Sequence, residues 1–567
     1  MRNVNIARGT LIAILLLTPV LALAANPKLA PDLANLAPGA TVPVIVRYRV
    51  QPQSRHHQLV EQYGGTLKRS LEVVKGALYE VPASALEALA NAPDVEYITP
   101  DRPVKAMLDY AEPATTANIA FESGWTGSGV TVAVIDSGIM DTHPDLWTPS
   151  SKTRVLYANV YNPSVGADTW GRYGHGNHVS GILGGNATMS SGSAYTHTFR
   201  GIAPEVQFVN LRVLDGSGAG TDSMVIAAIQ AAISLKSTYK IRIINMSLGR
   251  AVFESYTLDP LCHAVEQAWK AGIVVVVAAG NEGRNNAHAT DGYGTITAPG
   301  NDPYVITVGA VNDVKTITRA DDKMASYSSK GPTLFDHVVK PDIVAPGNKI
   351  IAAEPDSLYL ANNFPGNRVP ESYYMVKGSS SQLSEYYFTL SGTSMATPMV
   401  SGSAALLLQQ TPSLTPDQVK ARLMLTATKT FPASTTATDP VTGIVYTDYY
   451  DIFTVGAGYL DTWAALTNTD LAAKPALSPT AVYNSTTGTV SLVNAQNVIW
   501  GTNVIWGTNV IWGTSVVSAA NVIWGTNAVW ASSTLQGFSA VWGSNVIWGT
   551  STATAGETSS LSINGDE

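Results

Sequence analysis

The chain has 567 residues, a formal net charge of −8, 45% hydrophobic residues and one cysteine. That length allows about two to four domains with sizeable cores, and the acidic balance leaves no basic footprint for nucleic acid or an anionic membrane. One cysteine excludes an internal disulfide, so stability must come from packing.

Arg2 and Arg8 precede an apolar run from Leu11 to Leu23 that ends in Ala22-Leu23-Ala24-Ala25. A basic start, a short apolar stretch and a small-residue site predict a secretory signal peptide over residues 1–25. The run is too short to favour a membrane anchor, and no later stretch reaches the roughly 18 apolar residues of a span. Polar, Pro-rich sequence follows to Pro38. Val42–Val50 then alternates like a strand, and a helical stretch over Ser54–Tyr63 stops at Gly64-Gly65. A strand pair over Leu67–Val81, a helix over Ala83–Asn91 and a strand at Val95–Ile98 complete the order β-α-β-β-α-β. That order predicts a small α+β ferredoxin-like unit. Thr99–Thr116 reads as an exposed linker.

From Val130 the pattern changes to apolar strands alternating with helices, which predicts an α/β domain with a mostly parallel sheet covered on both faces. The strands are Val130–Ile135, Val206–Val213, Ile241–Met246, Ile273–Ala278 and Val305–Val311, with helices such as Asp222–Leu235 and Leu261–Lys270 between them. Cys262 lies in the second helix and reads as a small buried apolar residue. Thr415–Thr426 reads as a capped helix, and the domain closes near Gly456–Asp461. No charged residue occurs between Lys474 and Glu557, and Asn-Val-Ile-Trp-Gly-Thr recurs at 497–502, 503–508, 509–514, 521–526 and 545–550. Alternate Val and Trp would share a strand face, with Gly-Thr-Asn as the turn.

Four places in the α/β region carry chemistry. Ser394 lies in Ser391–Pro398, where small residues let the backbone turn into a helix with the hydroxyl and its own N–H facing one space. Asp136 ends a buried strand in Ala133–Gly138, where open α/β sheets place their sites. His175 stands between glycines, with His178 as a rival, and Asn281 ends another apolar strand before Glu282-Gly283. Each alone reads as a cap, a turn former or a core histidine.

Together, in this order and in one α/β domain, the four motifs resemble the subtilisin-like serine peptidases (subtilases) over about Val130–Asp461. The resemblance implies a subtilisin-like three-layer domain over residues 109–470, with Ser394 as nucleophile, His175 rather than His178 as general base, and Asp136 orienting the imidazole. The Asn281 amide and the Ser394 N–H would bind the oxyanion. Ser247-Leu248-Gly249 matches the edge that pairs with an extended peptide, and Ala278-Ala279-Gly280 the opposite pocket wall, with room for a large apolar side chain. Residues 26–108, folded over about 42–103, resemble an inhibitory propeptide, cut by the enzyme itself between about Asp101 and Glu112.

Some positions depart from the family. Asn177 stands where most members have Thr, and Ser180 where Ala is usual. Arg250 follows the pocket wall and would either favour an acidic substrate group or face solvent. The segment between Ala353 and Phe388 is longer than usual and reads as a surface insertion near the cleft. No cofactor is required; Asp145, in His143-Pro144-Asp145-Leu146, resembles a calcium aspartate, although the loop Asn186–Arg200 does not resemble the family's calcium loop. The expectation is a secreted serine endopeptidase acting on protein or peptide substrates, made as a self-inhibited zymogen. The alternative is a catalytically silent subtilase fold displayed for adhesion. The Trp-rich tail, residues 471–567, lies outside the resemblance and would be a loose extension, a stacked β-array, or a patch that binds a cell surface or itself.

Overall fold

The computed structural model describes residues 26, 28–29, 33, 36–37, 39–71, 75–100, 111–285, 290–484, 489–493, 516–517 and 563–566. The signal-peptide reading and the NVIWGT repeats lie outside the described residues. The chain forms two units, Met1–Lys105 and Ala106–Glu567.

The first unit runs β1 (Thr41–Tyr48), α1 (Ser54–Gln62), β2 (Thr66–Leu71), β3 (Gly76–Pro82), α2 (Leu86–Ala90) and β4 (Val95–Pro100). Its strands form an antiparallel sheet in the order β2-β3-β1-β4, the ferredoxin-like order the sequence pattern predicts. Alternation decides which face is buried: Val44, Val46 and Tyr48 of β1 meet Tyr79, Val81, Leu86, Leu89 and Ile98.

The second unit opens with α3 (Ala111–Ala114) and α4 (Ala117–Glu122). Here the exposed-linker reading of Thr99–Thr116 fails at its end, because Ala111, Glu112, Ala114 and Thr115 are all at most 2% exposed; residues 101–110 lie outside the described residues. Glu112 pairs with Arg200 at 2.7 Å, which gives this polar stretch a reason to pack. The main chain continues through β5 (Thr131–Asp136), β6 (Val155–Val160), α5 (His175–Gly184), β7 (Gln207–Arg212), α6 (Asp222–Tyr239) and β8 (Ile241–Met246). Then come α7 (Pro260–Lys270), β9 (Val274–Ala278), β10 (Ile306–Asn312), β11 (Lys323–Met324) and β12 (Ile343–Pro346). These strands make one eight-stranded sheet, ordered β11-β10-β9-β8-β5-β7-β6 with β12 also on β10. All pairs are parallel except β10 with β11. Every residue of β5, β9 and β10 is buried, so both faces are covered.

After β13 (Ile350–Ala353) the long segment holds α8 (Tyr359–Asn363), β14 (Arg368–Pro370) and α9 (Glu371–Tyr374), and runs into β15 (Leu383–Leu390). It is not only a surface insertion. Tyr387 and Phe388 are fully buried, and Tyr374 and Tyr387 pack with Phe199, Ile351 and Val369. After it come α10 (Thr393–Gln410), α11 (Pro416–Thr426), β16 (Ser434–Thr438), β17 (Val445–Tyr449) and α12 (Thr462–Thr467). The unit also extends past residue 470, because Ser478 bonds the buried Asp342 and Lys420 at 2.5 and 2.9 Å. Among the described residues no helix is long and apolar enough to cross a membrane.

Candidate active site

The parallel sheet brings separate sequence motifs to one end. Asp136 is the last residue of β5, His175 the first of α5, Ser247 follows β8, Asn281 lies just beyond β9, and Ser394 is the second residue of α10. His175, Asn281 and Ser394 line one cleft with Ser247, Leu248, Gly249, Ala278 and Gly280.

Asp136 is 1% exposed and accepts from His175 Nδ1 at 2.8 Å through Oδ1 and 3.1 Å through Oδ2. Its Oδ1 also accepts from the Ser137 N–H at 2.6 Å, and the Ser137 hydroxyl accepts from the Gly176 N–H at 2.9 Å. The carboxylate and the first turn of α5 are thus held by each other. His178 is used differently: its Nε2 lies 3.1 Å from both the Ile350 and Phe388 carbonyls. Burial first, then the neighbouring His175, pushes its pKa down to about 3, so it is a neutral core histidine.

Ser394 is 1% exposed, and its hydroxyl donates to the Ser247 carbonyl at 3.1 Å. Four residues on, Pro398 lies inside α10 and has no N–H for the Ser394 carbonyl. That carbonyl instead accepts from the Ser247 hydroxyl at 2.8 Å. A proline that would ordinarily be a helix defect therefore joins the Ser394 turn to the segment Ser247–Gly249. Asn281 Oδ1 accepts from the N–H and hydroxyl of Thr393 at 2.9 and 3.1 Å, which commits the amide oxygen and turns the NH₂ into the donor side. Gly280 permits this turn: its φ is +106°, and a Cβ there would lie 2.6 Å from Thr297 Cγ2.

Three readings need correction. Ala279 does not line the cleft; its N–H donates to Val308 and its carbonyl accepts from Thr297, at 3.0 and 2.9 Å. Arg250 neither faces solvent nor waits for an acidic substrate, because it pairs with Asp222 and Asp259 at 2.9 and 2.8 Å. Asp145 is fully buried, and its oxygens accept from the Met189 N–H at 2.9 Å and the Tyr387 hydroxyl at 2.7 Å. With both carboxylate oxygens already taken by hydrogen-bond donors, Asp145 does not fit the role of a calcium ligand.

Other residues were missed. Tyr173 lines the cleft 6.5 Å from His175 and stacks at 5.9 Å on Tyr359 of the long segment. Glu354, also in that segment, is 1% exposed and presses on Gly174, where a Cβ would lie 2.5 Å from its Oε1. Burial raises its carboxyl well above the usual range, against the pull of His175. The sequence signal for Glu354 was the unusual length of the segment, and for Tyr173 its place two residues before His175. Cys262 is buried, bonds Asn301 at 3.3 Å and has its thiol pKa pushed up by burial, which makes it a structural residue.

Residues 127–443 match the model of the subtilase family. The chain is 39% identical over 363 residues to serine protease AprX of Bacillus subtilis (strain 168), covering 62% of this chain and 74% of that protein. It is 32% identical over 378 residues to subtilisin E of the same strain, covering 66% and 81%. Against an extracellular serine proteinase of Thermus sp. (strain Rt41A) the identity is 32% over 394 residues, covering 67% and 78%.

Proposed function

Because the chain belongs to the subtilase family and is a subtilisin-like serine peptidase, we propose that it is a secreted endopeptidase working through Asp136, His175 and Ser394, and made as a self-processed zymogen. The single observation that carries the site reading is the paired contact of Asp136 with His175 Nδ1, in a cleft that also holds Ser394 and Asn281. In the reaction the Ser394 hydroxyl leaves the Ser247 carbonyl and attacks the scissile carbonyl carbon, passing its proton to His175 Nε2. Asp136 keeps the Nδ1 proton facing it and stabilises the imidazolium. The Asn281 NH₂ and the Ser394 N–H take the tetrahedral oxyanion. The C–N bond then breaks, His175 gives its proton to the leaving amine, and water hydrolyses the acyl-enzyme by the same steps in reverse.

Ser247–Gly249 would pair with an extended substrate backbone, and the small Ala278 and Gly280 leave room for a large apolar side chain. Arg250 plays no part in that preference, since both its partners are carboxylates of the protein itself. Residues 1–25 carry the pattern of a signal peptide, and the first unit is read as the inhibitory propeptide. Its cleavage is now expected within residues 101–110, because Ala111 and Glu112 are packed in the second unit. No observation favours the silent-fold alternative. Casein digestion by wild type and Ser394→Ala tests the proposal: activity only in the wild type is expected, with the precursor persisting uncut in the variant. Equal activity in both, or a mature form beginning near residue 26, would refute it.

A further inference from the structure

Residues Ile563–Asp566, more than 60 positions beyond the first NVIWGT repeat, lie against the second unit in a site built to receive them. Asp566 is 1% exposed. Its Oδ1 accepts from Arg284 Nη2 at 2.5 Å and from the Ser326 hydroxyl at 2.7 Å, and its Oδ2 from the Ser326 N–H at 2.7 Å. The backbone is read as well. The Asp566 N–H donates to Asn348 Oδ1 at 2.8 Å, and Asn348 Nδ2 donates back to the Asp566 carbonyl at 3.1 Å. Asn367 Nδ2 donates to the Ile563 carbonyl at 2.6 Å, and Ile563 packs on the main core. Gly565 has φ +60° and touches Ser391 and Asn348 so closely that a Cβ would lie 2.3 and 2.5 Å from their oxygens.

A buried carboxylate is tolerated only when charge and hydrogen bonds replace its water, and here one cation and two further donors do so. Arg284 is itself prepared for the role. Its Nε donates to Ser326 at 2.8 Å, its Nη1 meets Asp439 at 3.2 Å, and Tyr446 lies under its guanidinium at 5.4 Å. Apolar recognition at Ile563, glycine-specific recognition at Gly565 and acidic recognition at Asp566, within four residues, amount to a sequence-selective peptide site.

We propose that the catalytic unit carries a peptide-binding site for an Ile-Asn-Gly-Asp motif, and that Ile563–Asp566 of the same molecule is its ligand. The other end of the tail is held too: the Val339 N–H bonds the Pro479 carbonyl and the Ala481 N–H the His337 carbonyl, each at 2.8 Å. The two described contacts thus bracket residues 494–562, which include all the repeats, and each is made to the peptidase unit. The site adjoins the nucleophile turn, since Ser391 also accepts from the Lys349 N–H at 2.9 Å and stands three residues before Ser394. A cut within the repeats would therefore not release the far end of the tail.

The test uses the full-length chain with Ser394 blocked by a sulfonyl fluoride. Chymotrypsin nicks the Trp-rich segment, and gel filtration with mass spectrometry asks where the fragment bearing Ile563–Asp566 travels. It is expected to co-elute with the catalytic unit in wild type and to separate in Asp566→Ala and Gly565→Val. An excess of a synthetic peptide of residues 559–567 is expected to displace it from wild type. Hydrogen exchange on the un-nicked chain provides a second readout: protection of the Ser326 amide should fall about tenfold or more in Asp566→Ala. Equal retention in wild type and variants, equal loss from both, or unchanged protection at Ser326 would overturn the proposal. A doubled mass of the un-nicked protein would overturn its intramolecular form, because the segment would then come from a second copy.

Discussion

Ser247→Ala probes how the Ser394 turn is held. The Ser247 hydroxyl donates to the Ser394 carbonyl at 2.8 Å and accepts from Asn245 Nδ2 at 3.1 Å, with all three residues at most 2% exposed. Removing it leaves a buried carbonyl and a buried amide short of a partner, at about 1–3 kcal/mol for the worse of the two and roughly 2–4 kcal/mol together. For a unit of about 370 residues (111–484) the unfolding entropy is about 0.8 kcal/mol/K, so Tm should drop by about 3–5 °C. A second substitution makes the reasoning specific. Pro398→Ala returns an N–H four residues after Ser394, able to take the stranded carbonyl within α10. In the double variant it should recover about 1 kcal/mol or more relative to the sum of the single changes. Scanning calorimetry at one fixed rate, on protein sulfonylated at Ser394 to stop self-digestion, measures this. Strict additivity, or a Ser247→Ala protein as stable as wild type, would show that the Ser247 hydroxyl is not what replaces the missing helical donor.

Three further outcomes are expected. Asn281→Ala should lower kcat about 10²–10³-fold with KM little changed, as loss of one oxyanion donor does in subtilisin, read by steady-state assay on a peptide anilide. Asp322 has its pKa raised to about 7, chiefly by burial, so the folded protein holds a proton there that the unfolded chain releases near 3.8. Its contribution is complete below about pH 4 and is lost as pH rises through about 7; Asp322→Asn should flatten that fall in Tm and raise Tm at pH 8. A chain ending at residue 477 should be less stable than one ending at 484 by about 1–3 kcal/mol, because only the longer one keeps Ser478 on Asp342 and Lys420. Equal denaturation midpoints would remove Ser478 from the fold.

The strands of the second unit were legible because a strand buried on both faces must be apolar at every position, as β9 and β10 are. The site residues were legible because each sits beside a backbone requirement that only a few residue types meet, such as the left-handed turn at Gly280 before Asn281. His175 and His178 were separable by resemblance alone. The physical reason for the choice, two carbonyls already occupying His178, comes from β13 and β15, more than 170 residues away. Arg250 was misread for a similar cause: Asp222 and Asp259 are 28 and 9 residues away, on separate helical ends that meet only in the fold. The end of the Thr99–Thr116 stretch, from Ala111, was misread because polar composition is a fair sign of exposure until a partner such as Arg200 arrives from elsewhere.

By itself the order of residues determined the parallel sheet, through the periodicity of its apolar strands, while Asp136, His175, Asn281 and Ser394 were joined by their resemblance to the subtilases. Tertiary structure alone decided which groups are already paired: Arg250 with its two aspartates, Ser247 with the carbonyl that Pro398 leaves bare, and Asp566 with Ser326 across 240 residues. Charge and hydrogen-bonding capacity belong to a residue, but whether they are spent within the protein or kept for a substrate depends on what the rest of the chain brings within 3 Å.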